Sequence, residues 1–185
     1  MKFLSIALVL LLFSFSTETH ITEHQLKSAT ITWTGSDATG SYKPTGTLTH
    51  KFGNFRHNHG NLVGGLVVID MTSLSTENSD MEAHLKNEDF FDVENYPEAK
   101  FEMQSAQLQN AKGKLKGIMT IKGKSLEVEA DAEFIQKGQG YQVKSSLNLD
   151  RTKFGITYNS ASYFKKLKDN IVADEFSVEL DLYFE

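Results

Sequence analysis

The sequence predicts an all-β fold, an antiparallel meander of about eight strands. Three observations carry this. Apolar residues recur at every second position through most of the chain, glycine- and asparagine-containing turns separate the alternating runs, and only two prolines occur, Pro44 and Pro97, both outside the runs. At 185 residues, 39% hydrophobic and 23% charged, the chain has the size and mix of a single globular domain.

The first segment reads as an address. After Met1-Lys2, residues Phe3 to Phe15 carry no charge and only Ser5 and Ser14 as polar members. A helix of that length spans roughly 20 Å, short of the roughly 30 Å hydrocarbon core of a bilayer. A positive start, a short apolar run and small residues after it fit a secretory signal, with cleavage after Ser16. Residues 1–16 are therefore assigned as signal peptide, 17–27 as a polar, flexible lead-in and 28–185 as the folded domain, in a periplasmic or secreted protein. There is no cysteine, which excludes disulfides, thiolate metal sites, a cysteine nucleophile and a lipoprotein anchor.

The strands follow in order. Ala29, Ile31 and Trp33 alternate with Thr30, Thr32 and Ser28. Thr47 to His57 continues the pattern, with Gly53 placed for a bulge. Val67, Ile69 and Met71 share one parity, as do Phe101, Met103 and Ser105, then Leu115, Gly117, Met119 and Ile121. Leu126 to Phe134 alternates strictly with Glu127, Glu129, Asp131 and Glu133. A helix would scatter those acids around its circumference; a strand turns all four to water. Tyr141 to Leu149 and Phe176 to Phe184 complete the set. Asn58 to Gly60, Asn110 to Gly113, Lys122-Gly123-Lys124 and Lys137 to Gly140 supply the turns. Connections this short join antiparallel neighbours. Ser79 to Asn87, with Ser79 as cap, and Ser160 to Lys168 break the pattern as short helix candidates. Patterning alone does not separate an up-and-down barrel from a sandwich.

The apolar faces are uneven. Gly65, Ser105, Gly117, Ala130, Ala132 and Ser145 interrupt faces otherwise made of Leu, Val, Ile, Met and Phe. Small residues clustered on neighbouring strands leave a void, the natural place for an apolar ligand; large and small residues interdigitating would fill it instead. Both arrangements satisfy the pattern.

Polar constellations are weak. His57 and His59 would point the same way on a strand, yet they flank a hairpin tip and a metal site needs three or four placed ligands, so no metal is expected. His84 lacks a partner at metal-binding spacing. Asp89, Asp92 and Glu94 surround Phe90-Phe91 and read as loop capping around plugging rings. Asp150-Arg151-Thr152 offers a guanidinium for an anionic head group, or a structural ion pair at a strand end. No phosphate loop or serine elbow occurs, and no catalytic residue is assigned. The formal charge of −5 excludes a dense basic face for nucleic acid.

Several blocks resemble the YceI-like family: Trp33-Thr34-Gly35, Val67 to Leu74, His84 to Pro97, Ala99-Lys100-Phe101, Gly117 to Gly123 and Asp150 to Ile156. The resemblance runs from about Ser28 to the C-terminus. It implies an eight-stranded antiparallel lipocalin-like barrel with one or two short helices, exported in bacteria. It further implies a lumen that holds a polyisoprenoid, isoprenoid quinone or fatty-chain amphiphile, for transport, storage or stress response. The rival reading is a filled barrel acting as an interaction or stress module. The Thr47 to His59 hairpin, with Phe52, Phe55 and three histidines, does not match that family residue for residue, and its role in ligand choice stays open. On this reading Trp33, Val67, Ile69, Met71, Phe101, Met103, Met119, Ala130, Val143 and Phe176 line the lumen and Arg151 meets the head group. No cofactor beyond the bound lipid, no nucleic acid partner and no membrane-spanning segment are expected, and monomer and homodimer both stay open.

Overall fold

Eight antiparallel strands pair in chain order, and the last closes on the first. The computed structural model describes residues 20–59, 61–164 and 171–185. The strands are β1 (Ile21–Thr34), β2 (Thr45–Asn58), β3 (Asn61–Thr76), β4 (Glu98–Gln109), β5 (Lys112–Ile121), β6 (Lys124–Lys137), β7 (Gly140–Asp150) and β8 (Glu175–Phe184). One helix, α1 (Ser79–Lys86), and one 3₁₀ turn, Arg151–Phe154, interrupt the meander. Strands β1 and β8 pair from Leu26↔Phe184 to Thr34↔Ser177, so the ring has no free edge.

Alternation sorts the side chains. The four acids of β6 face water beside the lysines of β5, with Lys112 Nζ 3.1 Å from Glu133 and Lys114 Nζ 2.8 Å from Asp131. Such exposed pairs add little stability. The opposite face is the core: Ile31, Val67, Phe101, Met119, Val143, Leu147 and Phe184 are all buried in one continuous cluster.

The two ends of the ring differ. Hairpins β2–β3, β4–β5 and β6–β7 turn at one end, beside the start of β1 and the end of β8. The long connections lie at the other: 35–44, 77–97 with α1, and the described stretches 151–164, with the 3₁₀ turn, and 171–174. One tight turn shares that second end. Lys122 and Gly123 both have positive φ (48° and 72°), as a two-residue hairpin turn matching strand twist requires.

Five expectations are corrected. The segment Ile21 to Lys27, expected as flexible lead-in, is the first half of β1, paired with β2 from Ile21↔Asn58 to Gln25↔Asn54. A register shift between Leu26 and Ser28 leaves both Lys27 and Ser28 exposed, and this breaks the period that would have announced the strand. A second shift, between Met103 and Ser105, turns Ser105 outward. In β2 the shifts fall between Thr47 and Thr49, His50 and Phe52, and Arg56 and His57, not at Gly53. Helix α1 is capped by Asn78 instead of Ser79; its side-chain oxygen accepts from Met81 N at 2.9 Å. Residues 160–164 form turns, not a helix, and the rest of that candidate lies outside the described residues. So does the expected signal peptide.

Candidate functional site

The end bearing three hairpins is closed by rings. Phe55 sits at the centre, its ring centroid 5.0 Å from Phe184, 5.4 Å from Tyr141 and 6.0 Å from Phe134, all edge-on. His24 stacks on Phe55 at 5.0 Å, and His57 lies beside it with the two Nε2 atoms 3.1 Å apart. Burial, followed by the neighbouring His57, pulls the His24 pKa below its ordinary value. These residues reach the same place because Thr22, His24 and Leu26 of β1 share the inward parity of Phe55 and His57 on β2.

Above this floor the interior is hollow. A cavity of about 460 Å³ extends from Phe55, Phe134 and Phe184 to the loops at the opposite end. That volume falls in the range of small-molecule sites, about 300–1,000 Å³. Its barrel wall is almost wholly apolar. Nine of the ten residues expected to line it do so: Trp33, Val67, Ile69, Met71, Phe101, Met103, Met119, Val143 and Phe176.

Ala130 is the exception. It is buried in the core layer but contributes no wall; its cross-strand partner Leu115 does. A single methyl is too short to compete with the larger neighbours of its layer. Two of the small residues expected to create the void serve packing instead. A Cβ at Gly65 would stand 2.5 Å from Met103 Cε, and one at Gly117 2.7 Å from the Phe101 ring. These glycines make room for the wall side chains of the next strand.

The second end is the mouth. Pro44, Tyr42 and Asp37 from the β1–β2 connection, Met81, His84 and Leu85 from α1, Phe90 and Phe91 after it, and Tyr158 and Ile171 to Ala173 from the β7–β8 connection surround the cavity there. Backbone bonds knit these loops together: Ala38 N donates to Ile171 O and Ala173 N to Ser36 O, both at 3.0 Å. Lys122 Nζ donates to Glu88 O and Phe90 O at 2.6 and 2.7 Å, tying the post-helix loop to the β5–β6 turn. Of the paired rings expected to plug a core, Phe90 is buried in it and Phe91 packs against it at the mouth, where it meets Phe176 edge-on at 6.3 Å.

Arg151 borders the cavity but is already occupied. Its Nε, NH1 and NH2 donate to Ala173 O, Ile156 O and Val172 O at 2.8–2.9 Å. Asp174 supplies the nearby carboxylate at 3.6 Å, and Phe90 lies under the guanidinium at 5.9 Å. Burial pulls its pKa down while Asp174 opposes that pull, and the group stays charged. Three of its five N–H donors are thus spent on holding the connection that follows β7. Asp150, its sequence neighbour, caps the 3₁₀ turn through Thr152 instead.

The polar groups described at the mouth are engaged by their own neighbours. Asp37 accepts from the Thr39 and Ser41 hydroxyls, and the Thr39 hydrogen bond leads the effects that hold its carboxyl below the usual range. His84 Nε2 is 3.3 Å from Asp89, with Phe90 and Tyr158 edge-on to its ring. Among the described residues no group of three His, Cys, Asp or Glu side chains converges as a metal cluster. The arrangement is suited to enclosing an apolar chain, with its polar terminus at the loops.

Sequence reasoning did not identify the floor. Phe55, Phe134 and Phe184 lay on the correct parity, but nothing in a linear pattern says which end of each strand is which.

The YceI-like domain profile matches residues 19–184. The chain belongs to the YceI-like family. Its barrel is similar to that of BcnA from Burkholderia cenocepacia, with TM-score 0.68 and 20% identity, covering 84% of this chain and 95% of that one. It is also similar to a polyisoprenoid binding domain from Saccharophagus degradans, with TM-score 0.64 and 11% identity, covering 88% and 97%. Among sequence relatives, a UPF0312 protein of Photorhabdus laumondii is 33% identical over 73 residues, covering 40% of this chain and 38% of that protein. One from Staphylococcus aureus is 33% identical over 97 residues, covering 49% and 54%. The matched regions span less than two thirds of these curated relatives. The structural likenesses confirm the YceI-like barrel fold. Among the described residues no helix is long and apolar enough to cross a membrane.

Proposed function

We propose that this YceI-like barrel is an exported carrier that holds a polyisoprenoid, isoprenoid quinone or similar amphiphile by its tail, for transport, storage or stress response. The observation that carries the reading is the apolar cavity of about 460 Å³, closed at one end by rings and bordered by polar loops at the other. Ten buried methylenes are worth roughly 8 kcal/mol gross, before ordering costs. The polyisoprenoid-binding domain of similar fold supports the same cargo class. The wall offers no convergent polar set for bond-making chemistry, which supports a binding role over an enzymatic one.

The described part of the mouth favours a neutral head group. Asp37 and Glu175 border the cavity, while the guanidinium of Arg151 is bound to backbone carbonyls. A prenyl alcohol, quinone or amide suits that setting better than a pyrophosphate.

The test is native mass spectrometry with organic extraction of freshly purified protein, beside Leu147→Trp and Leu147→Met. Leu147 is buried on the cavity wall. The wild type and the Met variant should carry stoichiometric lipid, and the Trp variant should fold and carry none. A lipid-free wild type that also takes up no added prenyl alcohol or quinone would return the filled-barrel reading.

A further inference from the structure

The closed end holds a second constellation that the cargo reading does not use. His24 and His57 sit on paired strands, and their Nε2 atoms are 3.1 Å apart while their ring centroids are 5.2 Å apart. The nitrogen edges therefore face each other. Tyr141 packs edge-on against both rings, at 5.1 and 5.7 Å, and Phe55 lies against His24 at 5.0 Å. Two imidazoles are thus held with their nitrogen edges together by the packing of two flanking rings.

That spacing suits a metal ion. Bonds of about 2.0–2.1 Å at a tetrahedral angle put neighbouring ligand nitrogens roughly 3.3 Å apart. The next residues outward on the two strands are further histidines: Ile21 pairs with Asn58, so His20 and His59 come next on β1 and β2 respectively. Four of the chain's six histidines therefore collect at one end of two adjacent strands. His24 is buried and His57 half-buried, whereas His20 and His59 are exposed, so the site is fixed on its inner side and accessible from solvent on its outer side.

We propose that the closed end of the barrel binds one first-row divalent ion, of the zinc, nickel or copper type, through His24 and His57 Nε2. Among the described residues no third such side chain converges with them, so water completes the coordination from outside, with His20 and His59 next in register. Imidazole is the ligand such ions favour, and no thiolate competes in this chain. The ion replaces the direct contact between the two rings and clamps β1 to β2 beneath the lumen. Its binding is independent of cargo.

The experiment uses tag-free full-length protein and zinc chloride, followed by calorimetric titration and thermal melting. One zinc per chain and a raised Tm are expected. His57→Gln and His24→Ala should each weaken binding about ten-fold or more, with a smaller loss in His59→Ala and none in His50→Ala or His84→Ala. His57→Gln, at the half-buried position, keeps the test valid if His24→Ala fails to fold. Absent stoichiometric zinc binding in the wild type, or binding that survives in folded His57→Gln, would overturn the proposal. A lowered Tm in His57→Gln without any zinc effect would show that the rings only hydrogen-bond to each other, which also overturns it.

Discussion

The closed end and the mouth of this barrel are built from the same eight strands by opposite means. At the closed end the turns are short and the strands themselves supply the seal, through Phe55, Phe134, Tyr141, Phe184 and the two histidines. At the mouth the strands stop early, and the described parts of three long connections, which include helix α1 and the 3₁₀ turn, border the cavity. One end is held by packing of rings and the other by hydrogen bonds from charged side chains to loop carbonyls. The difference teaches where each kind of change should act. Damage to the floor should act through lost packing, and damage to the mouth through unpaired polar groups.

The largest effect is expected at the floor. Phe55→Ala removes a ring only 2% exposed that packs against five other rings, those of His24, His57, Phe134, Tyr141 and Phe184. It should cost about 3–5 kcal/mol in urea denaturation, and a cargo-sized probe dye should then enter from both ends. A loss below about 1 kcal/mol would mean that the rings do not carry the closure.

A smaller loss is expected at the mouth. Arg151→Ala leaves the carbonyls of Ile156, Val172 and Ala173 without their donors and should destabilise by roughly 3 kcal/mol. Its signature is selective: hydrogen exchange should accelerate in 151–164 and 171–174 while the β2–β3 and β6–β7 hairpins stay protected. Uniform acceleration would erase the distinction between the two ends. The smallest effect concerns the cap of α1. Asn78→Ala removes one hydrogen bond to Met81 N and should cost about 1 kcal/mol, read as faster exchange within Ser79–Lys86 alone.

What could be read beforehand follows the same division. Period-two alternation located the strands and put nine cavity residues on the correct face, because one parity decides inside from outside along a regular strand. It failed where the period slips. The shift at Leu26/Ser28 hid the first half of β1, with His24 in it, and the shift at Met103/Ser105 reversed Ser105. Ala130 was assigned by parity correctly and by role wrongly, since facing inward does not ensure reaching the cavity. The partners of Arg151 were beyond the pattern altogether. They are backbone carbonyls, one of them five residues away and two some twenty residues away, on a connection whose path no local rule describes. Loops are legible in sequence only as interruptions.

Closure of the ring at eight strands has one further consequence. Strand number and stagger together fix girth, so the diameter available to a guest cannot be widened while the closed ladder keeps its register. Resizing the chamber must proceed by trading bulk at inward positions such as Leu147, or by rebuilding the loops where the guest's end protrudes. Selectivity among guests of equal thickness is then left to the loops.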